Sequence, residues 1–188
     1  MSRVVLVPGV LALLPEYAGL EDPVAELRAA CLEAVAWLGG AVTVVADEQG
    51  ARVAEALLSA AGVSRLAPLA PQPTDASLAA QPPAASAYLV VGNGSACRTE
   101  KAPGHLDDRA ADFDEALGAA LTSPDPDALA GIDQDLAREL WASTGAVPQL
   151  SRILTADAEA TVDYDDDPYG VQYWVIRWVR TPGRGPAG

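Results

Sequence analysis

The sequence predicts an α/β protein: a single domain of three layers, in which helices cover both faces of a mixed sheet that ends in an antiparallel hairpin. Short β-branched runs alternate with segments whose apolar residues recur at helical spacing, which is typical of strands joined by crossover helices. Residues 171–179 are apolar on both faces, as in a strand inside a covered sheet. The turn-rich residues 165–170 precede that strand and predict the hairpin.

The first part of the chain alternates strands and helices. Asp22 and Pro23 place an N-cap residue directly before a proline, and this pair predicts the start of a helix. The glycine pair at 39–40 predicts where that helix ends. The predicted elements are a strand at 4–7, a helix at 22–38, a strand at 41–46, a helix at 50–61 and a strand at 65–69.

The second part contains a loose connection, further helices and the closing hairpin. Residues 70–86 are rich in proline, alanine and glutamine, so we expect a mobile connection inside a domain that spans residues 1–180. The proline- and glycine-rich residues 181–188 predict a disordered tail. The predicted elements are a strand at 87–91, a helix at 107–121, one helix that starts at Asp125-Pro126 and carries Leu129, Ile132, Leu136, Leu140 and Trp141, a short helix at 147–154, and strands at 160–164 and 171–179.

The chain is strongly acidic, with a formal net charge of −14 and a pI near 4.2. We therefore expect no electrostatic binding to nucleic acid or to anionic membranes, because both are themselves negatively charged. No uninterrupted apolar run approaches the ~20 residues that a membrane span needs. Pro8, Gly9 and Pro15 interrupt the apolar start of the chain, which does not fit a signal peptide, so we expect a cytoplasmic protein.

One loop concentrates the polar chemistry of the chain. Residues 92–109 follow the strand at 87–91 and hold the only lysine and the only histidine. Loops at the carboxyl ends of strands are where open α/β sheets bind ligands. We expect this loop and two other loops to bind a small anionic ligand or a protein partner. The candidate residues are Asn93, Ser95, Arg98, Glu100, Lys101, His105, Asp107, Arg109, Glu16 and Tyr169.

The loop matches no common catalytic motif. Its glycines fit neither the dinucleotide-binding pattern nor the P-loop, and Ser95 lies outside a G-x-S-x-G elbow because Cys97 stands two residues later. No cofactor is predicted, and catalytic residues stay unassigned. Two enzymatic alternatives remain open. One is a nucleophilic Cys97 beside Arg98, and the other is a metal held by carboxylates such as Glu16, Asp47 and Glu48.

A purely structural role for the loop is a further alternative. Glu100 with Lys101, and Asp108 with Arg109, have the spacing of ion pairs that would hold the loop against the following helix. An assembly role is favoured if the apolar terminal hairpin contributes to a dimer interface. In that case we expect a homo-oligomer.

Residues 92–110 resemble the sequence pattern of a known superfamily. They match G-x-G-S-A-x-R-x-x-K-A-P-G-Y-L-D-x-R-A, except that His105 stands where tyrosine is usual. This pattern is similar to that of uncharacterised actinobacterial proteins related to the catalytic B subunit of class III extradiol ring-cleavage dioxygenases and to the MEMO-like proteins. Residues 7–16 resemble the first strand and loop of the same group, and residues 167–178 resemble its closing hairpin.

The resemblance implies a single α/β/α domain, but the residues of the iron chemistry are missing. Active relatives hold Fe(II) with two histidines and one carboxylate. At the corresponding positions this chain has Gly9-Val10 and Asp47-Glu48-Gln49, and Ala96 stands in place of the catalytic base. We therefore expect a pseudoenzyme that keeps the fold and the pocket, lacks the iron site and binds a small ligand or a partner.

Overall fold

The computed structural model describes residues 2–17, 22–66 and 87–180. Its strands are β1 (Ser2–Val7), β2 (Ala41–Val45), β3 (Ser64–Arg65), β4 (Ala87–Val91), β5 (Glu159–Asp166) and β6 (Tyr173–Arg180). Its α-helices are α1 (Ala25–Leu38), α2 (Glu48–Ala61), α3 (Arg109–Thr122), α4 (Pro126–Ala130), α5 (Gln134–Glu139) and α6 (Leu150–Ile153). Short 3₁₀ turns lie at Leu11–Leu13, Pro15–Tyr17, Val147–Gln149 and Pro168–Gly170.

The strands form one six-stranded sheet in the order β3-β2-β4-β1-β6-β5. Strand β4 pairs in parallel with β1 on one side, where Val91 lies opposite Val7, and with β2 on the other side. Strand β6 is antiparallel to β1, and β5 is antiparallel to β6 with an irregular register between Val162 and Tyr164. The prediction of a mixed sheet that ends in an antiparallel hairpin is confirmed.

Helices cover both faces of this sheet, as the sequence predicts. Val5 and Val7 of β1 belong to the core that includes α1 and α2, whereas Val4 and Leu6 belong to the core that includes α3, α4 and α6. Strand β6 alternates in the same way, and its Trp178 is completely buried against the second set of helices. The alternation follows from the two-residue period of a strand whose two faces are both covered.

One predicted helix is two helices in the structure. Helix α4 ends at Gly131, and α5 begins after Asp133, whose carboxylate accepts two backbone N–H bonds as an N-cap. Asp125 caps α4 in the same way. The prediction of one continuous helix was wrong because it followed the apolar spacing through a glycine stop and an aspartate start. Trp141 consequently lies beyond the end of α5.

Several predictions fall on residues that the structure does not describe. These are the connection at 70–86, the tail at 181–188 and the last residues of the strand predicted at 65–69. The other predicted elements are present, with their ends displaced by a few residues. Within the described ranges, no helix is both long enough and apolar enough to cross a membrane.

The carboxyl ends of β1, β2 and β4 meet at one edge of the sheet, which we call the carboxyl edge. The turn that precedes β6 lies at the same edge because β6 is antiparallel to β1. Strands β1 and β2 lead into helices on one face, whereas β4 between them leads into α3 on the opposite face. Open α/β sheets place their ligands at such a change of direction. The carboxyl edge is therefore the part of the fold in which to look for a site.

Helix α2 begins in tight contact with the end of β4. A Cβ added to Gly50 would lie 2.9 Å from Cγ1 of Val91 and 3.1 Å from Oδ1 of Asp47. The same Asp47 oxygen accepts the N–H of Gly50 at 2.7 Å and caps the helix. The absence of a side chain at residue 50 thus allows the first turn of α2 to lie directly on the central strand.

The substitution Gly50→Ala tests this contact. We expect it to lower the free energy of unfolding by about 1–3 kcal/mol, because the added methyl group overpacks the junction with Val91. Gly145→Ala is the control, since no atom lies within 4 Å of its added Cβ. Urea unfolding of both variants measures the difference. Equal midpoints would show that α2 is free to move away from β4.

Candidate functional site

Residue 9, where the resemblance implies an iron ligand, is tightly packed. A Cβ on Gly9 would lie 3.2 Å from Cγ1 of Val91, and the carbonyl of Gly9 accepts a hydrogen bond from Nε2 of Gln49 at 2.8 Å. Oδ1 of Asp47 caps α2, while its Oδ2 lies 3.5 Å from Oγ of Ser143. Among the described residues, no three histidine, cysteine, aspartate or glutamate side chains form a group suited to a metal ion. The residues at this position do not fit Fe(II).

Ser95 and Asp114 form a buried pair that anchors the loop after β4. Their side chains belong to residues that are 0% and 2% exposed. The backbone N–H of Ser95 donates to Oδ1 of Asp114 at 2.7 Å, and its hydroxyl donates to Oδ2 at 2.6 Å. Burial raises the pKa of the Asp114 carboxyl, and the two bonds from Ser95 oppose that shift. Because a buried carboxylate needs hydrogen-bond donors, Ser95 has a structural role in this arrangement.

The same loop is bonded to its neighbours through the backbone. Asn93 and Ser143 exchange N–H to carbonyl bonds of 2.9 and 3.1 Å, forming an isolated antiparallel bridge. On the other side, the N–H of Gln172 donates to the carbonyl of Ser95 at 2.9 Å. The loop is therefore held between the segment that follows α5 and the start of β6.

Arg98 lies in a groove between α3 and the terminal hairpin, which we call the hairpin groove. Its Nε donates to Oδ2 of Asp167 at 3.0 Å, and its Nη1 lies 3.6 Å from Oδ2 of Asp114. The groove has a volume of about 480 Å³, which is within the range of small-molecule sites. Its polar lining residues are Arg98, Asp114, Glu115, Thr122, Asp165 and Gln172. Among these described residues, Arg98 is the only positively charged one.

Residues 97–107 form a compact surface loop of the Ω type, which we call the Ω-loop. Its two ends are joined by a 3.0 Å bond from the N–H of Asp107 to the carbonyl of Cys97. The Cys97 thiol is buried and lies 3.4 Å from the carbonyl oxygen of Leu140. Burial, and then the charge of Asp107, raise the pKa of this thiol. A cysteine that is held in the thiol form is a weak nucleophile, so the geometry does not favour catalysis by Cys97.

Arg109 is held between two carboxylates at the end of the Ω-loop. Its Nε and Nη2 donate to Asp107 at 3.0 and 2.8 Å, and its Nη1 donates to Glu139 at 2.8 Å. The pairing partner is thus Asp107 rather than the neighbouring Asp108. The side-chain bonds from Arg109, followed by the bond from its backbone N–H, lower the pKa of Asp107 to about 2. These bonds hold the Ω-loop against α3.

Three of the predicted binding residues are exposed to solvent. Within the part of the chain that the structure describes, the side chains of Glu100, Lys101 and His105 have no hydrogen-bond or ion-pair partner. Glu16 lies apart from them, and its Oε1 is 3.9 Å from Nη2 of Arg52 in α2. The structure therefore brings Ser95 and Arg98 together through Asp114 and pairs Asp107 with Arg109. It gives Glu100, Lys101, His105 and Glu16 no hydrogen bond or ion pair with either group among the described residues.

Three aromatic residues have a backbone conformation that favours glycine. The φ angles are +58° at His105, +57° at Trp141 and +61° at Tyr169. A non-glycine residue in this region costs about 1–3 kcal/mol, and such strain is concentrated at functional sites. Trp141 and Tyr169 are also 61% and 66% exposed. The apolar spacing of the sequence predicts that Trp141 lies inside a helix, so its exposure is not expected from the sequence.

Asp114 is not among the residues predicted from the sequence, although the sequence contains a signal for it. Asp114, Leu117 and Leu121 recur at i, i+3 and i+7, the spacing of one face of a helix. That face is buried in the structure. A carboxylate on the apolar face of a helix implies a buried donor elsewhere in the chain.

Comparisons with known proteins add no family assignment. The sequence matches no protein-family model. No curated protein is significantly similar to it. The resemblance described above therefore depends on the residues of this chain alone.

Ser95→Ala tests the buried pair. The variant removes the hydroxyl donor of Asp114, and a hydrogen bond to a charged group is worth about 1.5–3 kcal/mol, so we expect a loss of that size in the free energy of unfolding. Ser123→Ala, at the exposed end of α3, is the control and should change it by less than about 0.5 kcal/mol. Urea unfolding monitored by tryptophan fluorescence is the measurement. Equal stability of the two variants would contradict an anchoring role.

Asp107→Asn tests the pH dependence of the Ω-loop. The pKa of Asp107 falls from 3.8 to about 2 on folding, so its ionised form stabilises the folded state above pH 3.8. The stability difference between the wild-type protein and the variant should be constant above pH 3.8 and should decline as the pH falls through about 2. Thermal unfolding at a series of pH values measures it. A difference that grows toward acid pH would reverse the sign of the linkage.

Proposed function

We propose that this chain is an extradiol dioxygenase-like protein that does not use Fe(II) and that binds a small ligand in the hairpin groove. The observation that carries the proposal is the position of Arg98, which faces a groove of ligand size near the carboxyl edge of the sheet. The close approach of Val91 to Gly9 supports the absence of iron chemistry, since it leaves little room for a ligand side chain at residue 9.

Arg98 has unused capacity for an anionic ligand. A guanidinium group carries five N–H donors, and in the described contacts Nε alone donates a hydrogen bond, to Asp167. The remaining donors match the planar, two-oxygen geometry of a carboxylate. Asp167 lies on the exposed turn before β6, and its side chain is 38% exposed, so a ligand can replace it as the partner of Arg98. Asp114 remains behind the guanidinium as a second, buried counter-charge.

The rest of the groove limits the class of ligand further. Asp165 accepts a hydrogen bond from Nε2 of Gln172 and retains free lone pairs, and Glu115 has no described partner. Both are acceptors of hydrogen bonds at neutral pH. A ligand that fits this groove therefore has one carboxylate for Arg98 and, at its other end, hydroxyl or ammonium groups that donate to the carboxylates. A dihydroxybenzoate such as protocatechuate has this arrangement.

Isothermal titration calorimetry with protocatechuate and with catechol tests the proposal. The two compounds differ only in the carboxylate, so we expect measurable binding of protocatechuate and much weaker binding of catechol. Asp167→Asn should bind protocatechuate about fivefold more tightly, because a partly exposed ion pair that competes with the ligand is worth up to about 1 kcal/mol. Arg98→Lys should bind it less tightly while keeping a positive charge beside Asp114.

Asp135→Asn is the matched control for these titrations. It removes the same charge from an exposed ion pair on α5, away from the groove, and should leave the affinity unchanged. Equal affinities for protocatechuate and catechol, or no binding to wild-type protein at millimolar ligand, would contradict the proposed site. Cleavage of catechol after anaerobic loading with Fe(II) would contradict the absence of iron chemistry.

A further inference from the structure

The three aromatic residues with positive φ all lie in or beside the Ω-loop. Helix α5 ends in a Schellman motif, in which the N–H of Ala142 donates to the carbonyl of Ala137. Trp141 occupies the positive-φ position of this motif, where most helices have glycine. Trp141 departs from two preferences, since glycine is favoured at a positive φ and a large aromatic side chain is usually buried. No described contact within α5 compensates for this. Residues that depart from local preference in this way indicate a function.

The Ω-loop joins Trp141 to Tyr169. A Cβ on Gly104 would lie 3.3 Å from Cγ of Trp141, so the indole packs beside one end of the loop. At the other end, Thr99 contacts Gly170, the residue after Tyr169. We call this surface, made of residues 99–106 with Trp141 and Tyr169, the aromatic face. Leu106 adds a third exposed apolar side chain to it.

The aromatic face is electrically unlike the rest of the molecule. Residues 99–106 contain one negatively and one positively charged side chain, Glu100 and Lys101, whereas the whole chain has a net charge of −14. Glu100 and Lys101 are adjacent, exposed and without a partner among the described residues. Two copies of the protein therefore repel each other least where these faces meet, and each face carries both signs of unpaired charge.

We propose that the aromatic face is the contact surface for a second copy of this chain. A two-fold interface places the same patch on both subunits, so a patch must be complementary to itself. Glu100 of one copy and Lys101 of the other satisfy this condition in both directions. Exposed tryptophan and tyrosine are the side chains that most often dominate the energy of such contacts. A strongly basic partner would instead be attracted to the acidic surface elsewhere on the chain.

Sedimentation equilibrium of wild-type protein and Trp141→Gly is the test. We expect a concentration-dependent dimer for the wild type and a monomer for the variant. Glycine relieves the positive φ, so the variant should unfold at an equal or higher urea concentration when both proteins are dilute. Tyr17→Ala removes another exposed aromatic side chain outside the aromatic face and should leave the dimer intact.

Charge reversal tests the polar part of the interface. Glu100→Lys and Lys101→Glu should each weaken self-association several-fold, and an equal mixture of the two variants should recover it. A monomeric wild type at millimolar concentration would overturn the proposal. So would a dimer that Trp141→Gly and Tyr17→Ala affect equally, or single charge variants that associate as tightly as the wild-type protein.

Discussion

A buried carboxylate constrains the carboxyl edge of this protein. Asp114 lies on the buried face of α3 and is 2% exposed, so its oxygens require donors from within the fold. Ser95 supplies two of them, and it can do so only if the loop after β4 folds back toward α3. Arg98 then adds a positive charge and extends the network to Asp167 in the terminal hairpin. One buried carboxyl group thus connects a central strand, a helix and the two last strands.

This network divides the polar residues of the loop into two sets. Ser95 is bonded to the buried Asp114, and Asp107 is bonded to Arg109 at the surface, so both hold the loop and α3 together. Arg98 has donors to spare, and Glu100, Lys101 and His105 face solvent. Of the polar residues of this loop, the proposed ligand site and the proposed dimer contact draw their free donors and charges only from the second set. A loop rich in polar residues can therefore have a largely structural role. The bonding partners of each residue decide whether it stabilises the fold or is free to bind.

The layers of the fold follow from the sequence because strand and helix periods differ, and because β6 is apolar on both faces. The break between α4 and α5 is also predictable from the sequence, since Gly131 is an ordinary helix stop and Asp133 an ordinary helix start. The site is harder to predict. Nothing local in the sequence distinguishes a serine that binds a ligand from one that donates to a carboxylate 19 residues away. Backbone strain at Trp141 likewise depends on where the preceding helix ends, so it is defined only by the folded chain.

The position of β1 between β4 and β6 has a consequence for the assembly of the protein. The first strand, Ser2–Val7, pairs with Ala87–Val91 on one edge and with Tyr173–Arg180 on the other. Both partners are distant from it in the sequence. Contacts of such large sequence separation slow folding, because the entropy of closing a long loop is lost before the contact contributes favourable free energy. During synthesis one edge of the apolar β1 remains unpaired until Tyr173–Arg180 has left the ribosome. Chaperone binding is therefore expected to matter most for this segment, even though its residues 4–7 are buried in the finished molecule.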